Sequence, residues 1–545
     1  MMSLLTRMIG ALAKLPPAET YDVRVERDLV VPMPDGVVLL ADRYVPRGRE
    51  NPPVILVRCC YGRRGFFGLL FGRIYAERGY QVVIQSTRGT FGSGGKFEPF
   101  IVERDDGLAT VAWLKQQPWF SGAFATNGPS YLGLVQWAIA RDAGPELKAM
   151  GIQVSTSEFR SQTYMGGSYA LDTTLSWTHM MANQERPVRA LLTQLTARRM
   201  LKRLFMHLPL RDLDKLADGE HATFFQTWLE QRPADDPYWK AQDFSDTVKD
   251  VKVPINMVSG WYDIFLPWTL RDYAVLRATG QRPYLTIGPW SHASIRLMGE
   301  GVRESLAWFR AYLYNDRRHL RKSPVRIFVT GANEWRDLAD WPPAGRRHER
   351  WHLQPGGGLA SEIPPASAPD RYRYDPSDPT PAVSGPVLAG NALPTDNREL
   401  EARPDVLTYT GAPLENNLEV IGPVRVELFA RSSLQHTDFF ARLCDVDAQG
   451  KSLNVCDALL RVEPGQQLVT ADGCWRLSID LWPTAHRFRR GHRLRLQVSS
   501  GAHPRYARNT GSGEPLATAT KLVAADQEIY HDPDHPSSIE LPVCE

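Results

Sequence analysis

No stretch of this 545-residue chain approaches the ~18 consecutive apolar residues of a membrane-spanning helix. Cysteine is scarce. Cys59, Cys60, Cys444, Cys456, Cys474 and Cys544 are the only six, and none form a Cys-x-x-Cys pair. That spacing argues against a disulfide framework or a structural zinc and for small buried thiols. Neither sign of charge dominates. Lys and Arg number 64 and Asp and Glu 61, a net charge of +3, so the electrostatic footprint of a nucleic-acid or anionic-membrane partner is missing. The first ten residues have no basic run before their apolar ones, and Arg7 interrupts those. A secretory leader is therefore not expected, and cytoplasmic residence is the default. There is no internal repeat.

What is present is an ordinary globular composition, 43% hydrophobic and 23% charged. The length exceeds the roughly 250–300 residues at which one core stops growing, so two or three domains are expected. Over residues 21–160 apolar runs of strand length (Pro53 to Val57, Tyr80 to Ile84, Phe124 to Asn127, Met150 to Val154) alternate with helical spacings such as Leu108, Val111, Ala112 and Leu114. Such alternation predicts a parallel sheet covered on both faces. Two further strands follow at Ile255 to Val258 and Tyr284 to Ile287. The intervening segment is helical in pattern. Leu191, Leu192, Leu195, Leu201, Leu204 and Leu208 lie opposite Arg198, Arg199, Lys202 and Arg203, as in the solvated helices of an inserted cap. After Ser323 short period-two runs separated by Pro, Gly and Asp predict an antiparallel sandwich, with 354–405 as a long wrapping connection. The boundaries read from this pattern are core 1–159, cap 160–245, core 246–322 and all-β domain 323–545.

Gly128-Pro129-Ser130-Tyr131-Leu132-Gly133 sits between a buried strand and a helix. A serine on such a sharp turn holds its hydroxyl out of the sheet with a helix N-terminus behind it. The hexapeptide departs from Gly-x-Ser-x-Gly in that Leu132 occupies the second glycine position. A serine hydroxyl needs a base, and the base needs an orienting carboxylate. In doubly wound hydrolases these follow in the order Ser, Asp or Glu, His, each on a loop after a strand. Asp263, in Ser259-Gly260-Trp261-Tyr262-Asp263, and His292, in Gly288-Pro289-Trp290-Ser291-His292, meet that order. Singly, each reads as well as a turn or core residue. Together they make a nucleophile, base and acid.

These segments, with Arg88-Gly89-Thr90-Phe91-Gly92-Ser93-Gly94-Gly95-Lys96-Phe97, Asn333-Glu334-Trp335-Arg336-Asp337 and Val498-Ser499-Ser500, resemble the CocE/NonD hydrolases. This is the family of bacterial cocaine esterase, related to α-amino-acid ester hydrolases and X-Pro dipeptidyl peptidases. The resemblance runs nearly end to end, and its elbow has the same extended spacing. It implies an α/β-hydrolase core with an inserted helical cap and a C-terminal jelly-roll domain. It also implies Ser130 as nucleophile, His292 as base, Asp263 as orienting acid, and an oxyanion hole from the Tyr61 hydroxyl and the Tyr131 backbone N–H. Trp177, in the cap segment, takes the place of an aromatic wall for the acyl group, though a core tryptophan fits it equally. Two departures stand out: Cys60 replaces the usual proline before the oxyanion tyrosine, and Ser86 an aspartate. Altered loop hydrogen bonding without loss of chemistry is expected there.

The expected activity is cleavage of carboxylic esters or activated amides through an acyl-enzyme, with no metal or organic cofactor. A small-molecule ester or amide is the expected partner, neither nucleic acid nor membrane is, and a homodimer is left open. Two rivals remain. One is X-Pro dipeptidyl-peptidase or amino-acid ester hydrolase action, for which Glu158, Asp172 and Glu185 are candidate carboxylates for an α-amino group. The other is a vestigial binding protein. Gly166-Gly167-Ser168-Tyr169 echoes the elbow without a preceding strand, Gly92–Lys96 lacks the residues of a phosphate loop, and His531 and His535 read as a surface loop.

Overall fold

The apolar runs lie in strands that are buried at nearly every position. The computed structural model describes residues 2–465 and 467–544, with the side chains of 2–3 and 187–195 excepted. The chain divides into two compact units, residues 1–160 with 232–326 and residues 161–231 with 327–545.

The first unit is an α/β-hydrolase core. Its strands are β1 (Val23–Pro32), β2 (Val38–Pro46), β3 (Val54–Cys59), β4 (Gln81–Ser86), β5 (Phe124–Pro129), β6 (Leu147–Gln153), β7 (Ile255–Tyr262) and β8 (Tyr284–Ser291). They pair in the order β1-β2-β4-β3-β5-β6-β7-β8. From β4 to β8 all pairs are parallel. β3, β4, β5 and β7 are buried along their whole length, as strands covered on both faces must be. The strands expected from the sequence, β3 to β8, are thus parallel throughout, and the sheet is extended beyond β4 by two strands the pattern did not show, with β1, β2 and β4 pairing antiparallel. The tight turn at Pro34-Asp35-Gly36 closes a hairpin: the Met33 N–H donates to the Val37 carbonyl (2.8 Å) and Gly36 has φ +83°. A short connection of this kind can only join antiparallel neighbours.

The carboxyl ends of β5, β7 and β8 carry the three residues of interest. The helices Glu103–Lys115, Tyr131–Ala140, Leu266–Ala278 and Ile295–Leu313 pack against its strands. Residues 232–250 belong to this unit, and the Phe244 N–H is bonded to the Ser157 carbonyl (2.9 Å).

The second unit joins the helical segment to an all-β domain. Its helices include Leu171–Asn183, Pro187–Leu204, Leu213–Asp218 and Thr223–Leu229. In the second of these Leu201 is buried, while Arg198, Arg199, Lys202 and Arg203 face solvent. Leu191, Leu192 and Leu195, expected on its apolar side, have side chains outside the described residues. Among the described strands the β-domain is antiparallel apart from the pairing of Gly358–Ala360 with Leu407–Gly411. Its longest strand, Leu418–Ser432, pairs with Trp475–Phe488 along one edge and with Ala525–Tyr530 and Ser538–Cys544 along the other. The 354–405 stretch is less bare than expected, with short strands at Gly358–Ala360 and Asp370–Tyr374 and a helical turn at Arg398–Glu401. Arg442, wholly buried against Asp457, pins it by donating to the Val383 carbonyl (2.8 Å) and Asn397 Oδ1 (2.7 Å). Among the described residues no helix is long and apolar enough to cross a membrane.

Candidate active site

Ser130 has φ +57° and ψ −122°, a strained backbone that an L-residue keeps only when its surroundings enforce it. Its N–H is bonded to the Gln153 carbonyl of β6 (2.9 Å), and its own carbonyl accepts from Ser155 Oγ (2.7 Å). Both neighbours of the turn are forced to be small. A Cβ on Gly133 would fall 2.4 Å from that of Ser155, and one on Gly128 2.4 Å from that of Leu132. Ser130 is also the N-cap of helix Tyr131–Ala140, where a serine oxygen usually accepts a backbone N–H. Here it makes no such cap. The hydroxyl is turned to His292 instead.

His292 Nε2 lies 3.0 Å from Ser130 Oγ, and Nδ1 lies 2.6 Å from Asp263 Oδ1. Asp263 is completely buried. Its second oxygen accepts from Ser259 Oγ and from the Phe265 N–H, each at 3.2 Å. A carboxylate at Nδ1 makes that nitrogen the protonated one, which leaves the Nε2 lone pair for the serine. The Phe265 ring packs beside the imidazole at 5.5 Å between centroids.

Tyr61 follows β3 and is half-buried. Its ring stacks on Phe67 (5.4 Å) and stands edge-on to Tyr131 (6.5 Å). Its loop is tethered by Arg63, which is bonded to Asp42 (3.0 Å), Ser86 Oγ (3.0 Å) and Asp28. Ser86 thus gives the loop a neutral acceptor at the position of the expected aspartate. The Cys60 thiol beside it is fully buried, and burial first, then Cys59 and Glu103, push its pKa up. Tyr131 is the first residue of its helix. Its phenol donates to Glu103 Oε1 (2.6 Å) and accepts from the Phe100 N–H (3.3 Å).

The structure therefore brings Ser130, Asp263, His292, Tyr61 and Tyr131 together in one unit. Trp177 belongs to the other, where it stacks on Trp228 (5.8 Å) and meets Phe224 edge-on (5.5 Å). Of the candidate carboxylates, Glu158 is paired with Arg271 (3.4 Å). Asp172 accepts from the Leu388 and Ala389 N–H groups, and Glu185 is exposed. Ser168, the rival serine, lies in a two-residue hairpin strand and donates to the Ala507 carbonyl (3.2 Å). Sequence reasoning missed Arg58, Asp42, Arg63 and Glu103. Each reads in isolation as an ordinary strand or helix-terminus charge.

The profile described as X-Pro dipeptidyl-peptidase (S15 family) matches residues 35–294. That of the X-Pro dipeptidyl-peptidase C-terminal non-catalytic domain matches 319–540. Cocaine esterase of Rhodococcus sp. (strain MB1 Bresler) is 30% identical over 95% of this chain and 98% of its own. Among solved structures, an α-amino acid ester hydrolase superposes with a TM-score of 0.82 at 23% identity, over 97% of this chain and 98% of that one. A CocE/NonD family hydrolase from Staphylococcus aureus gives 0.70 at 16%, over 95% and 94%. The two structures share the fold. The sequence match, carried through both units at that identity, shows that the chain belongs to the cocaine esterase family of hydrolases, the CocE/NonD group.

Proposed function

We propose that this hydrolase cleaves small carboxylic esters, or activated amides, with Ser130 as nucleophile, His292 as base and Asp263 as orienting acid. The observation that carries the reading is the unbroken hydrogen-bonded line from Ser130 Oγ through His292 to a buried carboxylate. His292 Nε2 takes the hydroxyl proton as Oγ attacks the ester carbonyl. Negative charge then gathers on the carbonyl oxygen, where the Tyr61 hydroxyl and Tyr131 N–H serve as donors. Such a donor is worth on the order of 3–4 kcal/mol in the transition state. The tetrahedral adduct collapses as the imidazolium protonates the departing alcohol. Water then repeats the sequence on the acyl-enzyme and releases the acid.

An ester substrate is favoured over an N-terminal peptide by the carboxylates a free ammonium would need. Of the three candidates, Asp172 accepts two backbone N–H groups on Oδ1, Glu158 is paired with Arg271, and Glu185 is exposed rather than enclosed. Cytoplasmic residence is the compartment we infer, supported by six free thiols.

A fluorophosphonate probe should label Ser130, located by mass spectrometry of the digest. Ser130→Ala should abolish labelling and lower kcat on a p-nitrophenyl ester by at least ~10³-fold while the protein stays folded. Turnover retained by that variant would assign the nucleophile elsewhere.

A further inference from the structure

The Tyr131 phenol lies in neither proton path of this mechanism, yet every side of its ring is held. Phe100 stacks on it (4.3 Å, 26° between planes), Tyr61 meets it edge-on and Phe97 lies 6.1 Å away. Its hydroxyl is bonded to Glu103 at 2.6 Å. Glu103 and Arg58 form an ion pair (2.7 Å) with both side chains at most 3% exposed. Arg58 Nη1 also donates to the Glu103 carbonyl, and its Nε to Gln85 on β4. Arg58 is on β3, three residues before Tyr61. One buried, directly bonded connection thus runs from the residue carrying one oxyanion donor to the strand leading to the other.

Resting on the Ser130 reading, the geometry points to Glu103 and Arg58 as positioning residues for the oxyanion hole, acting through the Tyr131 phenol. A charge-assisted bond between buried groups is short and geometrically exacting, and it fixes the ring and, through it, the first turn of the helix. The same ring is the wall against which Tyr61 rests. The pair touches no substrate atom. Its contribution is the distance between two donors. An error near 1 Å there costs about 100-fold in rate.

The test compares wild type with Tyr131→Phe, which deletes one oxygen and keeps the amide. Glu103→Gln, which keeps an acceptor but discharges the pair, is read in its place if circular dichroism finds Tyr131→Phe unfolded. kcat and KM on p-nitrophenyl butyrate are measured beside the Ki of ethylboronic acid, whose adduct with serine is tetrahedral. We expect kcat to fall about 10- to 100-fold, KM to stay within about twofold, and boronate affinity to fall by the same factor as kcat. A kcat within twofold of wild type overturns the proposal. So does a fall in kcat with boronate affinity unchanged, since the loss then lies outside the oxyanion hole. Fluorophosphonate labelling of the same samples separates this from failure of the underlying reading, because loss of the nucleophile assignment would appear in wild type itself.

Discussion

A methyl group at Gly133 would sit 2.6 Å from the Ser155 hydroxyl oxygen as well as against its Cβ. That hydroxyl supports the Ser130 carbonyl, and the Ser155 carbonyl is in turn held by Thr269 (2.7 Å). Alanine in a helix is favoured over glycine by about 1 kcal/mol, but overpacking a filled site costs roughly 1–3 kcal/mol. The second effect wins because Ser155 has no room to yield. Gly133→Ala should therefore lower the urea midpoint and depress kcat by moving Ser130. A midpoint equal to or above that of wild type would refute this account. The elbow and its partners were legible because strand, turn and helix signals surround each one within a few residues. Glu103 was not. An acidic residue in a first helical turn is what the helix dipole alone would select, and its true partners come from Arg58 and Tyr131, far away in the chain.

The strands Asp370–Tyr374 and Ala525–Tyr530 pair antiparallel, and a side-chain latch closes their shared end. His531 is 2% exposed. Its Nε2 lies 3.0 Å from Asp370, which also accepts from Tyr409, and its Nδ1 lies 2.9 Å from Ser367 Oγ. The segment is the surface loop expected, with Pro533 and Asp534 exposed, but His531 at its foot turns inward beside the His531–Pro536 bridge. Serine, histidine and aspartate meet here too, but without a nucleophile's setting. Ser367 Oγ also bonds the His531 carbonyl, and no strand-to-helix turn presents it. Burial alone would lower the pKa of His531, but the hydrogen bond and charge of Asp370 outweigh it and raise it. A raised folded-state value stabilises below the unfolded imidazole range, and that stabilisation fades as pH rises through the folded value. The melting-temperature gap between wild type and Asp370→Asn should accordingly be wider at pH 6 than at pH 9. A gap independent of pH would show that the imidazolium contributes nothing.

At the scale of the whole chain, all six cysteines are free, and five are buried. Burial pushes the Cys59 and Cys444 thiols up to about 12, so the reactive thiolate is scarce at ordinary pH. In native protein a chromogenic disulfide should titrate Cys544 at most within minutes, and six thiols after guanidinium. Reductant should leave the melting temperature unchanged. Rapid reaction of several thiols in native protein would contradict this packing. At this scale the core strands and the all-β texture after residue 323 were readable from period alone. The β1–β2 hairpin and the short strands within 354–405 were not, because a partner strand, rather than any local pattern, decides whether so brief a run is extended.

The two units alternate along the chain, so neither corresponds to one uninterrupted stretch of message. A ribosome releases Ser130 well before Asp263 and His292, the last of which follows by 162 residues. At about 5–20 residues per second that gap lasts roughly 8–30 s. Under the Ser130–His292 mechanism we propose, the nascent hydroxyl has no base through that interval, and esterolysis begins only once β8 has joined the sheet with His292 behind it.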